Sequence, residues 1–280
     1  GMFAFAVWDE AAGCLFLARD RTGKKPLFWT RQGGRLAFAS EIKALLALPW
    51  VPDEMDEGAL PFYLAYGYVP GPRTFLRGIE ALPPATALPV DGARQAQRRY
   101  WTLDWRRGAD IGDEEAIARV RSLLRDAVER RLVADVPLGA FLSGGIDSTL
   151  IVGLMRERIE GPVRTFSLGF ADDATYDETP FARAAARRFG TEHTEFMVEA
   201  HAVELVEELV EAYDGPFGDS SAIPTHIVSR LTREHVTVAL TGDGGDEMFC
   251  GYPRVLGMAV AERVGRGVAA LGDAVGRRLP

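Results

Sequence analysis

The chain has 280 residues, 47% apolar and 26% charged, the balance of a soluble globular protein with room for two domains. Its formal charge of −8, with no basic tract, argues against nucleic acid as the main partner. No apolar run approaches the roughly 18 residues of a membrane span, and two cysteines, Cys14 and Cys250, give no disulfide framework, so a reducing, cytoplasmic setting is expected.

Residues 1–45 read as a β meander, with strands over 3–8, 14–18, 26–29 and 36–39 separated by Asp-, Gly- and Arg-rich turns. The apolar opening, 2–8, has neither the basic flank nor the cleavage site of a signal peptide. Gly1 stands before Met2 and strand follows at once, so the chain reads as a piece of a longer protein. Ser40 opens a short capped helix over 40–46, and 53–66 suggests another helix. A last strand is expected at 87–90 and a polar turn or linker at 92–99.

The second half changes period. Ile117, Val120, Leu123, Leu124, Ala127, Val128 and Leu132 recur at helical spacing. Strands are then predicted over 136–142, 163–170, 193–198 and 236–240, and helices over 147–158, 179–189, 201–213 and 222–234. Alternation of that kind predicts an α/β fold with a doubly wound, mostly parallel sheet, in which ligands bind outside the carboxyl ends of the strands.

Three predicted strand ends carry unusual chemistry. Ser143-Gly144-Gly145-Ile146-Asp147-Ser148 stands between a strand and a helix. Its glycines admit a phosphate close to the backbone, the N–H groups of the helix start point at it, two serines add hydroxyls, and Asp147 can hold Mg²⁺. No lysine follows, which excludes the Walker-type loop. An ordinary turn with Asp147 or Ser148 as helix cap is the plainer alternative. At the second strand end, 165–170, Gly169 permits close approach of a backbone. The third, Thr241-Gly242-Asp243-Gly244-Gly245-Asp246-Glu247, gathers three glycines and three carboxylates in seven residues. A bound cation or an ammonium-bearing substrate would relieve the repulsion among the carboxylates, whereas a solvated acidic turn needs neither.

Residues 142–148, Tyr176-Asp177-Glu178 with Ala182 and Ala186, 189–193, and 241–247 with Gly251-Tyr252 resemble, in order and spacing, the synthetase domain of glutamine-dependent asparagine synthetases. Independently, 1–6, 19–27, 39–45 and 67–72 resemble the later part of that family's class II glutaminase domain. The resemblance implies an ATP pyrophosphatase-like (adenine nucleotide α-hydrolase-like) sheet preceded by the C-terminal part of an α+β glutaminase domain. The boundaries read as a partial glutaminase domain over 1–95, a linker over 96–113 and a partial synthetase domain over 114–280.

The activity implied is conversion of aspartate to asparagine through β-aspartyl-AMP, with ATP, Mg²⁺ and ammonia from glutamine. Related adenylating amidotransferases and β-lactam synthetase-like enzymes take another acid, and a non-catalytic nucleotide-binding module is the further alternative. By resemblance, Ser143, Gly144, Gly145, Asp147 and Ser148 hold pyrophosphate and metal, and Leu142 and Leu168 flank the nucleotide. Thr241 and Gly242 stand near the α-phosphate and ribose, Asp246 is a second metal ligand, and Asp243 steers the amino group of aspartate or positions ammonia. The partners are small molecules, with no nucleic acid and no membrane, and a homodimer is left open. The family's N-terminal nucleophilic cysteine has no counterpart at position 1 or 2, and the segment with its synthetase lysine is absent. The chain alone is therefore expected not to hydrolyse glutamine. Plain structural roles are expected for the four histidines, for an ion-pair turn at Arg19, Asp20 and Arg21, for the helix face of Glu204, Glu207, Glu208 and Glu211, and for core or interface Trp8, Trp29 and Trp50.

Overall fold

The computed structural model describes residues 1–92, 94–104, 108, 110–170, 177–198 and 205–264. The chain falls into two units, Gly1–Asp110 with His201–His226, and Ile111–Ala200 with Ile227–Pro280.

In the first unit, β1 (Ala4–Asp9), β2 (Cys14–Arg19), β3 (Phe28–Gln32) and β4 (Arg35–Ala39) form the meander. After α1 (Ile42–Leu46), a 3-10 turn at Glu57–Ala59 enters α2 (Leu60–Tyr66). Then come β5 (Ile79–Ala81), β6 (Thr86–Asp91) and the two-residue strands β7 (Arg94–Gln95) and β8 (Arg98–Arg99). One antiparallel sheet runs β1-β2-β6-β7 with β8 also on β6, and the other runs β4-β3-β5. Leu17, Leu88 and Val90 of the first sheet pack with Trp29 of the second, and with Leu27 and Leu82, into a shared core. On the opposite face of the first sheet, the register Phe5↔Ala18 and Val7↔Phe16 places Phe5, Val7 and Phe16 together, all exposed. Trp8, expected in a core or interface, is 61% exposed.

The helix expected over 53–66 begins later, because Met55 makes a β-bridge with Leu76 and Asp56 caps the 3-10 turn. The turn after β2 is not an ion pair. The buried Asp20 carboxylate accepts the N–H groups of Phe3, Thr22, Lys24 and Lys25, while Arg19 donates to the carbonyls of Gly23, Lys25 and Leu82. Burial pushes the Asp20 carboxyl up, but those four donors outweigh it and hold it below its ordinary value.

Nor does α1 carry its own cap, since neither Ser40 nor Glu41 bonds its first turn. Asp214 does so instead, accepting the N–H of Ile42 at 2.7 Å and of Lys43 at 3.2 Å, and the Lys43 ammonium at 3.0 Å. It lies after α6 (Val206–Ala212), in a stretch that also returns the Gly218 N–H to the Gly67 carbonyl at 2.7 Å. The helix predicted over 201–213 is described from Val206 on, and its first residues, including His201 and Glu204, lie outside the described ones.

The second unit opens with α3 (Asp113–Arg131) and continues through β9 (Leu138–Phe141), α4 (Ile146–Arg156), β10 (Arg164–Phe170), α5 (Thr179–Phe189) and β11 (Glu192–Val198). It resumes within α7 (Ala222–Thr232) and ends through β12 (Val238–Leu240), α8 (Gly245–Phe249) and α9 (Pro253–Val264). The four strands pair in parallel in the order β11-β10-β9-β12. Chain order runs outward from β9 through β10 to β11, and the later β12 is added on the other side of β9. That reversal marks the doubly wound α/β sheet, with its switch point between β9 and β12. The core beneath joins Val128 of α3, Ala140 of β9, Leu142, Val152 and Met155 of α4, Ala182 and Ala186 of α5, and Leu240 of β12.

Candidate active site

The switch point sets two loops side by side. β9 pairs with β12 through Leu138↔Val238, Gly139↔Ala239 and Ala140↔Leu240, so both strands deliver their next residues to the same edge. After β9, Leu142 is wholly buried and its N–H bonds the Phe166 carbonyl at 2.8 Å, so its side chain packs the core. From Ser143 the chain leaves the sheet. Ser143 Oγ and Ser148 Oγ share a hydrogen bond of 3.0 Å, and Ser143 Oγ also accepts the Gly145 N–H at 3.2 Å. Gly145 is the N-cap of α4, and no side chain caps that helix. Its first-turn N–H groups therefore face the ground beyond the strand ends, the arrangement that receives an anion.

The second loop meets the first directly. A Cβ on Gly242 would stand 2.8 Å from the Ser148 nitrogen and 3.0 Å from the Asp147 Cβ, and one on Gly245 would collide with the Asp147 carboxylate. Thr241, Gly242, Ser143 and Asp147 thus share one edge. The acidic stretch is only partly loop, because α8 begins at Gly245 and carries Asp246 and Glu247 in its first turn. Asp243 is exposed, and its N–H bonds Thr241 Oγ1 at 3.3 Å. The Asp246 carboxylate lies where a Gly251 side chain would begin.

Two of the glycines answer to packing. Gly144 has φ +85, and a Cβ there would lie 2.5 Å from the Phe181 carbonyl carbon and the Ala182 nitrogen at the start of α5. Gly169, expected to permit close approach of a backbone, has no room for a side chain, since a Cβ there would lie 2.7 Å from the Met197 sulfur and 2.8 Å from Thr179 Cγ2. Leu168 is half-buried next to it in β10.

The described histidines serve structure. His193 bonds Thr165 Oγ1 through Nδ1 (3.0 Å) and Ser167 Oγ through Nε2 (3.2 Å), and burial pushes its pKa down. It lines a shallow cavity of about 360 Å³ with Arg183, Arg187 and Thr191, where Arg183 pairs with Glu195 at 2.7 Å. His226 pairs with Glu208 at 3.1 Å, and His235 packs on Phe166 and Phe196 with ring centres 5.5 and 6.0 Å away. Cys250 is exposed at the end of α8. Sequence reasoning gave no role to Tyr252 beyond its motif, yet its hydroxyl donates to Glu247 at 2.7 Å. That bond raises the phenol pKa.

Among the described residues no group of three His, Cys, Asp or Glu side chains is placed to hold a metal ion. Asp147 and Asp246 offer at most two carboxylates, with the Ser143 and Ser148 hydroxyls close by. Mg²⁺ fits such a sparse donor set, since it is bound by one or two carboxylates plus substrate phosphates and keeps several waters.

Family models match both halves of the chain. The sequence model of the asparagine synthase family matches residues 119–279, and that of a glutamine amidotransferase domain matches 1–101. A putative asparagine synthetase [glutamine-hydrolyzing] 2 of Methanocaldococcus jannaschii is 38% identical over 90% of this chain and 50% of its own length. Asparagine synthetase [glutamine-hydrolyzing] 3 of Bacillus subtilis is 36% identical over 90% of this chain and 44% of its own. The chain thus spans about half the length of these relatives. Among solved structures, a glutamine-dependent NAD+ synthetase from Acinetobacter baumannii in complex with ADP covers 90% of this chain and 61% of its own, at 14% identity and a TM-score of 0.34, too remote to bear on chemistry. With its model matched across more than half of the 280 residues, the chain belongs to the asparagine synthase family.

Proposed function

We propose that the protein is an ATP-dependent amide-forming ligase that adenylates a carboxylic acid, aspartate by family expectation, and passes the acyl group to ammonia. The observation that carries this reading is the contact of the two loops at the β9/β12 switch point, Gly242 against the Ser148 nitrogen and Gly245 against the Asp147 carboxylate. The first-turn N–H groups of α4, with Ser143 and Ser148, receive the β- and γ-phosphates. Leu168 flanks the nucleotide, Leu142, its side chain buried in the core, offers it only main-chain groups, and Thr241 and Gly242 stand beside the α-phosphate and ribose. An acid oxygen attacks the α-phosphorus, the bond to the β-phosphate oxygen breaks, and pyrophosphate leaves with the electron pair. The helix-start dipole and hydroxyls stabilise the charge that develops on that leaving group. Mg²⁺, held by Asp147 and Asp246, would neutralise part of the phosphate charge. Ammonia then attacks the acyl carbon, AMP departs, and Asp243 orients the amine as it approaches. The half that resembles a glutamine amidotransferase domain suits release of that ammonia from glutamine.

Aspartate-dependent exchange of pyrophosphate into ATP, measured on the intact protein, tests the reading. AMP and pyrophosphate should form in step with asparagine. ADP and phosphate would overturn adenylation, and exchange stimulated by another acid alone would move the substrate.

A further inference from the structure

The acidic stretch after β12 is held from behind in a way that phosphate binding does not require. α8 is five residues long and ends in Cys250 at φ 60 and ψ 37, a left-handed cap that turns the chain back along the helix. The Cys250 and Gly251 amides both reach the Asp246 carbonyl, the second at 3.0 Å. Two consecutive acids are then gripped by the residues five positions on. The Asp246 carboxylate fills the space above Gly251, and Glu247 accepts the Tyr252 hydroxyl at 2.7 Å. The Arg254 guanidinium lies 4.2 Å from the centre of the Tyr252 ring, so this side chain is fixed at its face as well as its tip.

A helix of one and a half turns does not hold its own shape in water. Asp246 is exposed, so little packing orients it either. A carboxylate meant to meet a cation on arrival gains from being ordered beforehand, because otherwise binding must bear the cost of ordering it. We propose that Tyr252 is a positioning residue for the nucleotide–metal site. By tying Glu247 it closes the 250–252 turn on α8 and keeps the Asp246 carboxylate seated over Gly251, one residue from the Gly245 contact with Asp147. This inference rests on the adenylating reading of the site.

The test is Mg²⁺-dependent ATP binding, followed by calorimetry on the intact wild type, Tyr252→Phe and Tyr252→Phe/Glu247→Gln. Hydrogen exchange at the Gly251 amide, without metal or nucleotide, accompanies it. Tyr252→Phe should raise the half-saturating Mg²⁺ concentration about three- to ten-fold, the range of one hydrogen bond, while ATP affinity at saturating Mg²⁺ stays within about two-fold. Exchange at Gly251 should quicken, and the double variant should be no worse than the single one. An unchanged Mg²⁺ dependence, or an equal loss of ATP affinity at every Mg²⁺ concentration, overturns the inference. Should Tyr252→Phe fail to fold, Gly251→Ala takes its place, since it displaces the Asp246 carboxylate while leaving the phenol intact. The same Mg²⁺-selective loss is expected, and its absence is equally decisive. A wild type that binds no ATP with Mg²⁺ present would instead sink the adenylating reading.

Discussion

The two glycines of the Ser-Gly-Gly motif should fail in different ways when given a methyl group. In Gly144→Ala the new Cβ enters at φ +85, costing about 1–2 kcal/mol in the left-handed region. It also lies 2.5 Å from backbone atoms of Phe181 and Ala182, which cannot swing aside as a side chain can. Forcing α5 away from the loop costs about 1–3 kcal/mol more, by analogy with overpacked cores. The sum, about 2–5 kcal/mol, is a large fraction of a domain's stability. In Gly145→Ala, φ is −64 and the nearest atom is Ser143 Oγ at 3.3 Å, so the methyl fits after a shift of a few tenths of an ångström. Replacing an N-cap glycine by alanine should cost only about 0.5–1 kcal/mol. That methyl would nonetheless stand on the path of a phosphate, so nucleotide affinity should fall at least ten-fold. Urea unfolding followed by circular dichroism, paired with ATP-binding calorimetry, separates the two cases. A Gly144→Ala protein as stable as wild type would refute the close approach of α5. A Gly145→Ala protein that binds ATP normally would refute the cradle.

Three further outcomes follow from the polar contacts. The folded-state pKa of Asp20 lies below its unfolded value of about 3.9, so its stabilisation is complete above that pH and drains away as pH falls through the folded value. Asp20→Asn should flatten the acid limb of the first unit's unfolding profile and cost about 1–3 kcal/mol at neutral pH, and an unchanged acid limb would contradict this. The folded pKa of His193 is depressed, so its contribution is whole above about pH 6.5 and shrinks as pH falls towards the folded value. An imidazole titrating above 6.5 by NMR would be inconsistent with its burial between Thr165 and Ser167. Asp214→Ala should cost about 1–2 kcal/mol, speed hydrogen exchange at Ile42 and Lys43, and open the chain to trypsin at Lys43. Asp214→Asn should fall between, since asparagine tolerates the φ of 57 and still offers one acceptor oxygen.

Much was legible in the sequence because it rests on local rules. Pattern reading located β10 and α5 to within a residue, and alternation of strand and helix gave the parallel sheet. The spacing of serine, glycine and aspartate picked out both loops before any contact was known. Only the tertiary structure decided which groups meet. Asp214 caps a helix 172 residues before it, and no local pattern at Ser40 or Glu41 could have shown that the cap comes from elsewhere. Gly144 and Gly169 read as places of close approach, and the atoms that approach them belong to α5 and β11, whose distance from the loop is set by sheet packing. The grip of Gly251 and Tyr252 on Asp246 and Glu247 depends on one residue, Cys250, entering the left-handed region, which composition does not signal. The sequence by itself determined the elements and the chemistry each carries, because hydrogen bonding and side-chain periodicity act over a few residues. The placing of β12 beside β9, which turns two separate motifs into one candidate site, was decided only by strand pairing across about a hundred residues, where burial of the shared core selects the order.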